Sequence, residues 1–403
     1  MQSHEINSKL WTKPFIILTI CSLLLFLNLQ MLLAAFPAYV KSAFQADDMT
    51  VSLIISVFAG ATIITRLLTT PLMRKVPRNV ILYTGLAAAT LFTALSVAAG
   101  SVGMLLVMRI GFGIGFGMAS TIIPTLVSQI IPGKRMGEGI GYFGLSTSLA
   151  MSVGPIIGLS VMKHAGFTTL GMLGTATIVL IFPILFFSRT IPAEMSKKTA
   201  AGTAADSKQI FHVKLLIPGL LNVILAVTYG GLLSFIALFG ESVHLEQVGL
   251  FFMFNALAVI IIRPVSGKIF DRFGHAAVLI PASISVVSAL MVLSYTTTMP
   301  MLILSALLYG LGFGSIQPTL QAWMLRSGTS QQYGMANSMF YNTTDLGIAV
   351  GALILGAVSS MSDYAFMYRV SAGFMVLFLI IYTVVRLLTA IRYRLKPSAR
   401  QTT

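Results

Sequence analysis

MLLVMRIGFGIGFG at 104–117 is read again at 301–314 as MLILSALLYGLGFG, 197 positions further along the chain. Met104, Leu105, Gly113, Gly115, Phe116 and Gly117 return as Met301, Leu302, Gly310, Gly312, Phe313 and Gly314. The same offset carries 51–74 onto 248–271, where Val51, Leu53, Ile63, Ile64 and Arg66 return as Val248, Leu250, Ile260, Ile261 and Arg263. It also carries 137–157 onto 334–354, where Gly137, Phe143, Thr147, Leu149, Val153, Gly154 and Ile157 return as Gly334, Phe340, Thr344, Leu346, Val350, Gly351 and Ile354. One offset across three separated blocks means two homologous halves. In a chain this apolar, such halves point to a pseudo-symmetric transporter with its site at the midplane between them.

Hydrophobic residues make up 56% of the chain and charged residues 9%, against about 25% charged in soluble domains. So few charges cannot cover a soluble surface, and the chain reads as an integral membrane protein. The net charge of +15 suggests nucleic acid as a partner. That class is excluded because the basic residues are distributed by loop, not gathered on one face with interleaved aromatics. The single cysteine, Cys21, lies inside the first apolar run and reads as a small buried apolar residue. That run, Pro14 to Tyr39, is too long for a signal-peptide core and is expected to be a retained span.

Apolar runs of spanning length fall near 14–40, 51–72, 79–99, 103–131, 138–162, 168–188, 213–239, 248–269, 276–298, 301–325, 333–360 and 364–390. Backbone polar groups cannot stay unpaired in lipid, so these runs are expected to be helices; the short alternating segments of a β-barrel are absent. The expected fold is an all-α membrane protein with twelve transmembrane helices in two pseudo-symmetric bundles of six. The boundaries are a cytoplasmic tail 1–13, an N-terminal bundle 14–188, a cytoplasmic linker 189–212, a C-terminal bundle 213–390 and a cytoplasmic tail 391–403. With both termini cytoplasmic, all Lys and Arg except Lys41, Lys163, Arg369 and Arg109 fall in inner segments, as the positive-inside rule requires. In that count Arg66 and Arg263 belong to the inner loops.

Several residues stand out chemically. Asp345, in YNTTDLGI at 341–348, is the carboxylate placed deep in the membrane, with Tyr341 and Asn342 able to share its helix face. A carboxyl group that takes up and releases a proton with its exposure is what proton coupling requires. Arg109 is an arginine inside the fourth run, costly unless it reaches a cavity or a partner. It is expected to balance the charge on Asp345, with Gly113 and Gly117 giving its helix face a smooth surface for a moving neighbour.

The stretch RPVSGKIFDRFG at 263–274 resembles the loop signature of the major facilitator superfamily, seen between helices 2 and 3 and echoed between 8 and 9. The N-terminal copy keeps Arg66 but has Thr70 for the glycine and Arg74 for the aspartate. The resemblance therefore assigns gating to Arg66, Arg263, Gly267, Asp271, Arg272 and Gly274, with the latch resting on Asp271 and Arg272. RIGFGIGFG at 109–117 resembles the superfamily's second signature. AMSVGPIIG at 150–158 is similar to the antiporter signature of its drug exporters, with Gly154, Pro155 and Gly158 expected to bend the helix and meet the partner half. From the family's pathway helices come Asn28, Gln30, Tyr39, Tyr229, Gln317 and Gln321 as candidate substrate contacts, Gln317 and Gln321 presenting two amides to one ligand; Tyr341 and Asn342, on the helix face of Asp345, are the other two candidates.

His4, His164, His212, His244 and His275 show no metal-ligand spacing, and no phosphate-binding loop is present. The chain is thus not read as an enzyme. No cofactor or metal is expected, and the proton gradient serves as energy source. What the resemblance implies is a monomeric, multi-pass secondary transporter of the cytoplasmic (inner) membrane. By alternating access and proton antiport it would export a small-molecule drug or metabolite. A proton symporter importing a nutrient is the alternative, disfavoured by the Gly154-Pro155 signature. A non-transporting membrane sensor is the other class. The repeat is broken at informative places: Arg109 answers to Ala306, Asp345 to Ser148, Pro155 to Ala352 and Asp271 to Arg74.

Overall fold

The structure, a computed structural model, describes residues 9–45, 48–188, 213–245 and 247–394. The expected linker 189–212 lies outside them. In the N-terminal half the helices are α1 (Lys13–Phe44), α2 (Asp48–Leu72), α3 (Arg78–Ser96), α4 (Val102–Ile130), α5 (Met136–Val179) and α6 (Ile181–Ser188). In the C-terminal half they are α7 (Val213–Ser242), α8 (Leu250–Phe273), α9 (His275–Ser294), α10 (Met299–Arg326), α11 (Tyr333–Met361) and α12 (Tyr364–Arg394). α12 therefore runs past the expected tail boundary at 391. Local chemistry sets the ends. Thr12 accepts a hydrogen bond from Phe15 N at 3.4 Å with Pro14 in the first turn of α1, and Ser101 accepts from Met104 N at 3.2 Å at the start of α4.

The apolar stretch 133–187 is 55 residues long, about 80 Å as helix and too long for one crossing of a core about 30 Å thick. Gly166, at φ 77° and ψ 174°, divides it, in a backbone region open essentially to glycine alone. Residues 136–165 make the fifth crossing, and 167–179 with α6 make the sixth. Pro155, expected to bend the fifth, lies inside helical backbone; the non-helical residue in α5 is Gly166.

Each half repeats one packing scheme. α1 lies on α5 as α7 lies on α11; α2 and α3 flank α4 as α8 and α9 flank α10. The glycines of the duplicated stretch explain its preservation. A Cβ on Gly113 would meet Phe58 and Ala61, and one on Gly310 would meet Asn255 and Ala258, the equivalent positions. Gly117 faces Thr62 and Thr65 as Gly314 faces Val259 and Ile262; Gly115 faces Gly85 and Ala89 as Gly312 faces Ala282 and Val286. These glycines let α4 and α10 approach both neighbours at backbone distance within their own half. In this structure they serve as packing surfaces within each half.

The antiporter-like glycines behave in the same way. Gly154 and Gly158 lie against Gln30 and Met31 of α1, not against the partner half as expected. Gly351 lies on Val227 of α7, the repeat of Gln30. Two predicted loop residues also move inward. Arg66 and Arg263 are inside α2 and α8 and are 2% and 3% exposed. A charge ends an apolar run in sequence, but the helix continues wherever the side chain finds partners inside.

Large apolar side chains cover the outer surface: Leu67, Leu68, Phe186, Phe187, Leu353 and Met361 are among the exposed ones, as a bilayer-facing wall requires. Lys134, Arg135, Lys268, Arg272 and Arg326 gather at one end, here the basic face. Gly158→Leu places a side chain into the Met31 carbonyl and is expected to cost about 3 kcal/mol by overpacking. A lowered melting temperature of the purified protein by intrinsic fluorescence is the measurement.

Candidate functional site

The two halves meet at an ion pair. Arg66 on α2 donates from Nη1 to Asp345 Oδ2 on α11 at 2.5 Å and to Asn342 Oδ1 at 3.5 Å. Its Nε donates to Ser120 Oγ on α4 at 3.1 Å. The guanidinium lies 5.3 Å from the Tyr341 ring and 5.9 Å from that of Phe116, so its face is occupied as well as its edge. Arg66 is buried, whereas the Asp345 side chain is 33% exposed. Asp345 stands twelve residues into α11, about 18 Å from its start at the basic face. Asp345 is therefore deep along its helix and still partly exposed.

This arrangement revises one expectation. Asp345 is not a lone acid, and its partner is Arg66, not Arg109. Arg109 is boxed by Phe36, Phe58 and Phe112, whose ring centres lie 4.4, 4.7 and 5.6 Å from the guanidinium. Its Nε and Nη2 have no hydrogen-bond partner. The rings answer the charge by cation–π attraction.

The internal two-fold repeats the Arg66 site around Arg263. Arg66 bonds to Ser120; Arg263 donates from Nη2 to Gln317 Oε1 at 2.9 Å, and Gln317 is the repeat of Ser120. Arg66 lies on Tyr341; Arg263 lies on Gly144, the repeat of Tyr341, where a Cβ would strike Nη1. The backbone carbonyl of Arg263 likewise closes on Gly141. Opposite Arg66 stands Asp345; the equivalent residue opposite Arg263 is Ser148.

Towards the basic face the halves are sealed. Asp271, at the end of α8, accepts from the backbone N–H groups of Gly137 at 2.8 Å and Glu138 at 2.9 Å. A carboxylate there meets the positive end of the α5 dipole. Arg326 from α10 pairs with the same carboxylate, while Arg272, named with Asp271 for the latch, is exposed and lies 5.1 Å from the Phe273 ring. Glu138 is held by Arg135 at 2.7 Å and approached by Lys268 at 3.8 Å. Gly267 meets Gly137 directly, so α5 and α8 touch through backbone. Gly274, at φ 80°, joins α8 to α9 in a single residue, a conformation that favours glycine. At the repeat position of Asp271, Arg74 is exposed, and buried Met73 packs on Gly334 instead.

A polar seam continues inward along α2, α4, α10 and α11. Thr70 and Ser338 share a hydrogen bond at 2.9 Å, and Asn337 donates to Ser128 at 3.2 Å. The hydrogen bonds and ion pairs named above that join the halves lie from Asp345 towards the basic face.

The remaining candidates divide. Tyr341 and Asn342 belong to the Arg66 cluster. Gln317 and Gln321 do not offer two amides to one ligand: Gln317 accepts from Arg263, and Gln321 donates to Asn337 Oδ1 at 2.8 Å. Asn28 is fully buried with both amide atoms unpaired and faces Gly174 inside the N-terminal half. Gln30 packs on Gly154. Tyr39 stacks on Phe167 at 3.7 Å, and Tyr229 on Phe313 at 4.8 Å, both within their own halves. Glu138, Arg326, Thr70, Ser128, Asn337 and Ser338 were not singled out from sequence. The signal available for Glu138 was an acid in the first turn of a helix that starts beside Lys134 and Arg135.

Comparison with known proteins agrees with this architecture. A family model described as the Major Facilitator Superfamily matches residues 18–352 and 271–402. A multidrug resistance protein, MdtG of Klebsiella pneumoniae, is 25% identical over 282 residues, covering 67% of this chain and 68% of that one. The staphylopine export protein of Staphylococcus aureus is 21% identical over 288 residues, covering 68% and 72%. Among solved structures, a Major Facilitator Superfamily transporter, FucP, in the outward conformation aligns with this chain.

 

The two chains are 15% identical, and the match covers 93% of this chain and 98% of that one, with a TM-score of 0.75.

Removing one member of the Arg66–Asp345 pair leaves a charge in the interior without its partner. Arg66→Gln and Asp345→Asn are each expected to cost about 3 kcal/mol. The double variant should cost clearly less than the two added together. A double-mutant cycle on melting or denaturation of purified protein reads the coupling; additive losses would dissolve the pair.

Proposed function

The chain belongs to the Major Facilitator Superfamily, and from that premise we propose that it is a proton-coupled exporter of a small molecule, working by alternating access, with Asp345 and Arg66 as its coupling pair. One observation carries the reading: the ion pair that joins the halves is also the place where a buried cation meets a partly exposed carboxylate. The basic face is assigned to the cytoplasm by the positive-inside rule. On that reading the side sealed by Asp271 is inner, and Asp345 takes its proton from the opposite, outer side of the cytoplasmic membrane.

The cycle follows from electrostatics. A proton arriving from outside neutralises Asp345 and removes the Coulomb attraction to Arg66, about 4 kcal/mol for unit charges 4 Å apart at an effective dielectric constant of 20. The contacts of α2 with α11 then weaken, and the halves rock until the inner face opens. There the proton leaves, substrate enters, and the restored ion pair favours return to the outward-open arrangement. Asp271 supports that return by capping α5 from the other half. Arg109 takes no part in the proton step, because its charge faces three rings rather than Asp345.

Export is favoured over uptake by the functions in the names of the multidrug resistance and staphylopine export relatives. Compounds that raise the melting temperature of the purified protein supply substrates for a flux assay. In energised inverted vesicles, such a compound should accumulate in wild type, and Asp345→Asn should lose accumulation while retaining substrate exchange without a gradient. Gradient-driven accumulation by Asp345→Asn removes the coupling role. Accumulation confined to right-side-out vesicles makes the protein an importer.

A further inference from the structure

Arg263 is a buried cation that lacks what its symmetry mate possesses. It is 3% exposed, its Nε has no hydrogen-bond partner, and no ion pair joins it to a carboxylate among the described residues. Its bond to Gln317 Oε1 at 2.9 Å is to a neutral acceptor. A guanidinium in a membrane interior is costly without a counter-charge, and its planar fork matches a carboxylate better than an amide. The spanning interior holds Arg66, Arg109 and Arg263 against Asp345; Arg66 has the acid, Arg109 has its rings, and Arg263 has neither.

The repeat locates the missing group. Asp345 lies one turn beyond Tyr341 on α11 and answers Arg66. Ser148 lies one turn beyond Gly144 on α5, and Gly144 is the residue on which Arg263 rests. Ser148 and Gln317 are both only partly buried, so the space opposite Arg263 is lined by small or neutral groups. We propose that the transported molecule carries a carboxylate, and that this group docks on Arg263 beside Gln317 and Ser148, in the place that Asp345 fills beside Arg66. The inference rests on reading the central cluster as the transport site, and it names the substrate class: organic acids.

The test is thermal melting of the full-length purified protein with acetate, citrate, 1-naphthoate and carboxyfluorescein. Each is compared with its neutral ester or amide and with chloride at equal ionic strength. At least one acid should raise the melting temperature by about 3 °C or more, with no rise from its neutral analogue or chloride. Ser148→Asp supplies the carboxylate internally and should abolish that rise while still melting in one transition; Arg263→Gln should abolish it too. If Arg263→Gln does not fold, Ser148→Asp alone decides the matter. No acid-specific rise in wild type, or an undiminished rise in Ser148→Asp, overturns the proposal. These measurements need no gradient, so they stand or fall apart from the coupling role of Asp345.

Discussion

A guanidinium inside a membrane-spanning bundle must be answered by an acceptor or an aromatic face, and this demand organises the centre of the molecule. Three arginines lie in the interior and each is answered differently. Arg66 reaches across to an acid of the other half. Arg109 is enclosed by rings from α1, α2 and α4. Arg263 has one neutral amide. The first of these ties the halves together, the second stiffens one half, and the third leaves an unanswered charge beside the junction.

The internal duplication fixes where these groups stand, and divergence between copies fixes what they do. α2 crosses to α11 as α8 crosses to α5, yet the two junctions have different chemistry. The first is polar, with Thr70, Ser338 and Asn342 around the ion pair. The second is built on Gly137, Gly141 and Gly267, which bring backbone against backbone, and on Gly144, which takes the Arg263 side chain. Substituting Gly144 for Tyr341 and Ser148 for Asp345 converts a filled, paired site into a closer and unpaired one.

The twelve crossings and the two halves were legible in the sequence because length, hydropathy and a constant offset are one-dimensional signals. The centrality of Asp345 was legible for a similar reason: an acid in an apolar run is conspicuous. Its partner was not, because Arg66 precedes Thr69, Thr70 and Pro71, a polar stretch that reads as the end of a span. Direction around a helix axis was equally hidden. Asn28, from a pathway helix, and Gly154, expected against the partner half, both face inward within their own half, a matter of azimuth that only packing decides. The latch illustrates the same limit, since the cation that meets Asp271 is Arg326, from a helix distant in sequence.

The two junctions also differ in the range of the forces that hold them. Dispersion between close-packed backbones decays steeply, and a gap of about 1 Å forfeits up to half of it. Coulomb attraction falls only as the inverse of distance, so the charged junction still pulls after the glycine junction has let go. The glycine stretch of the α5–α8 contact is therefore a snap that is either shut or open, with the charged Asp271 cap confined to its end. The α2–α11 contact acts as a spring that draws separated halves back into register. A transporter with one of each has a sharp threshold for leaving the closed arrangement and a long-range guide for finding it again.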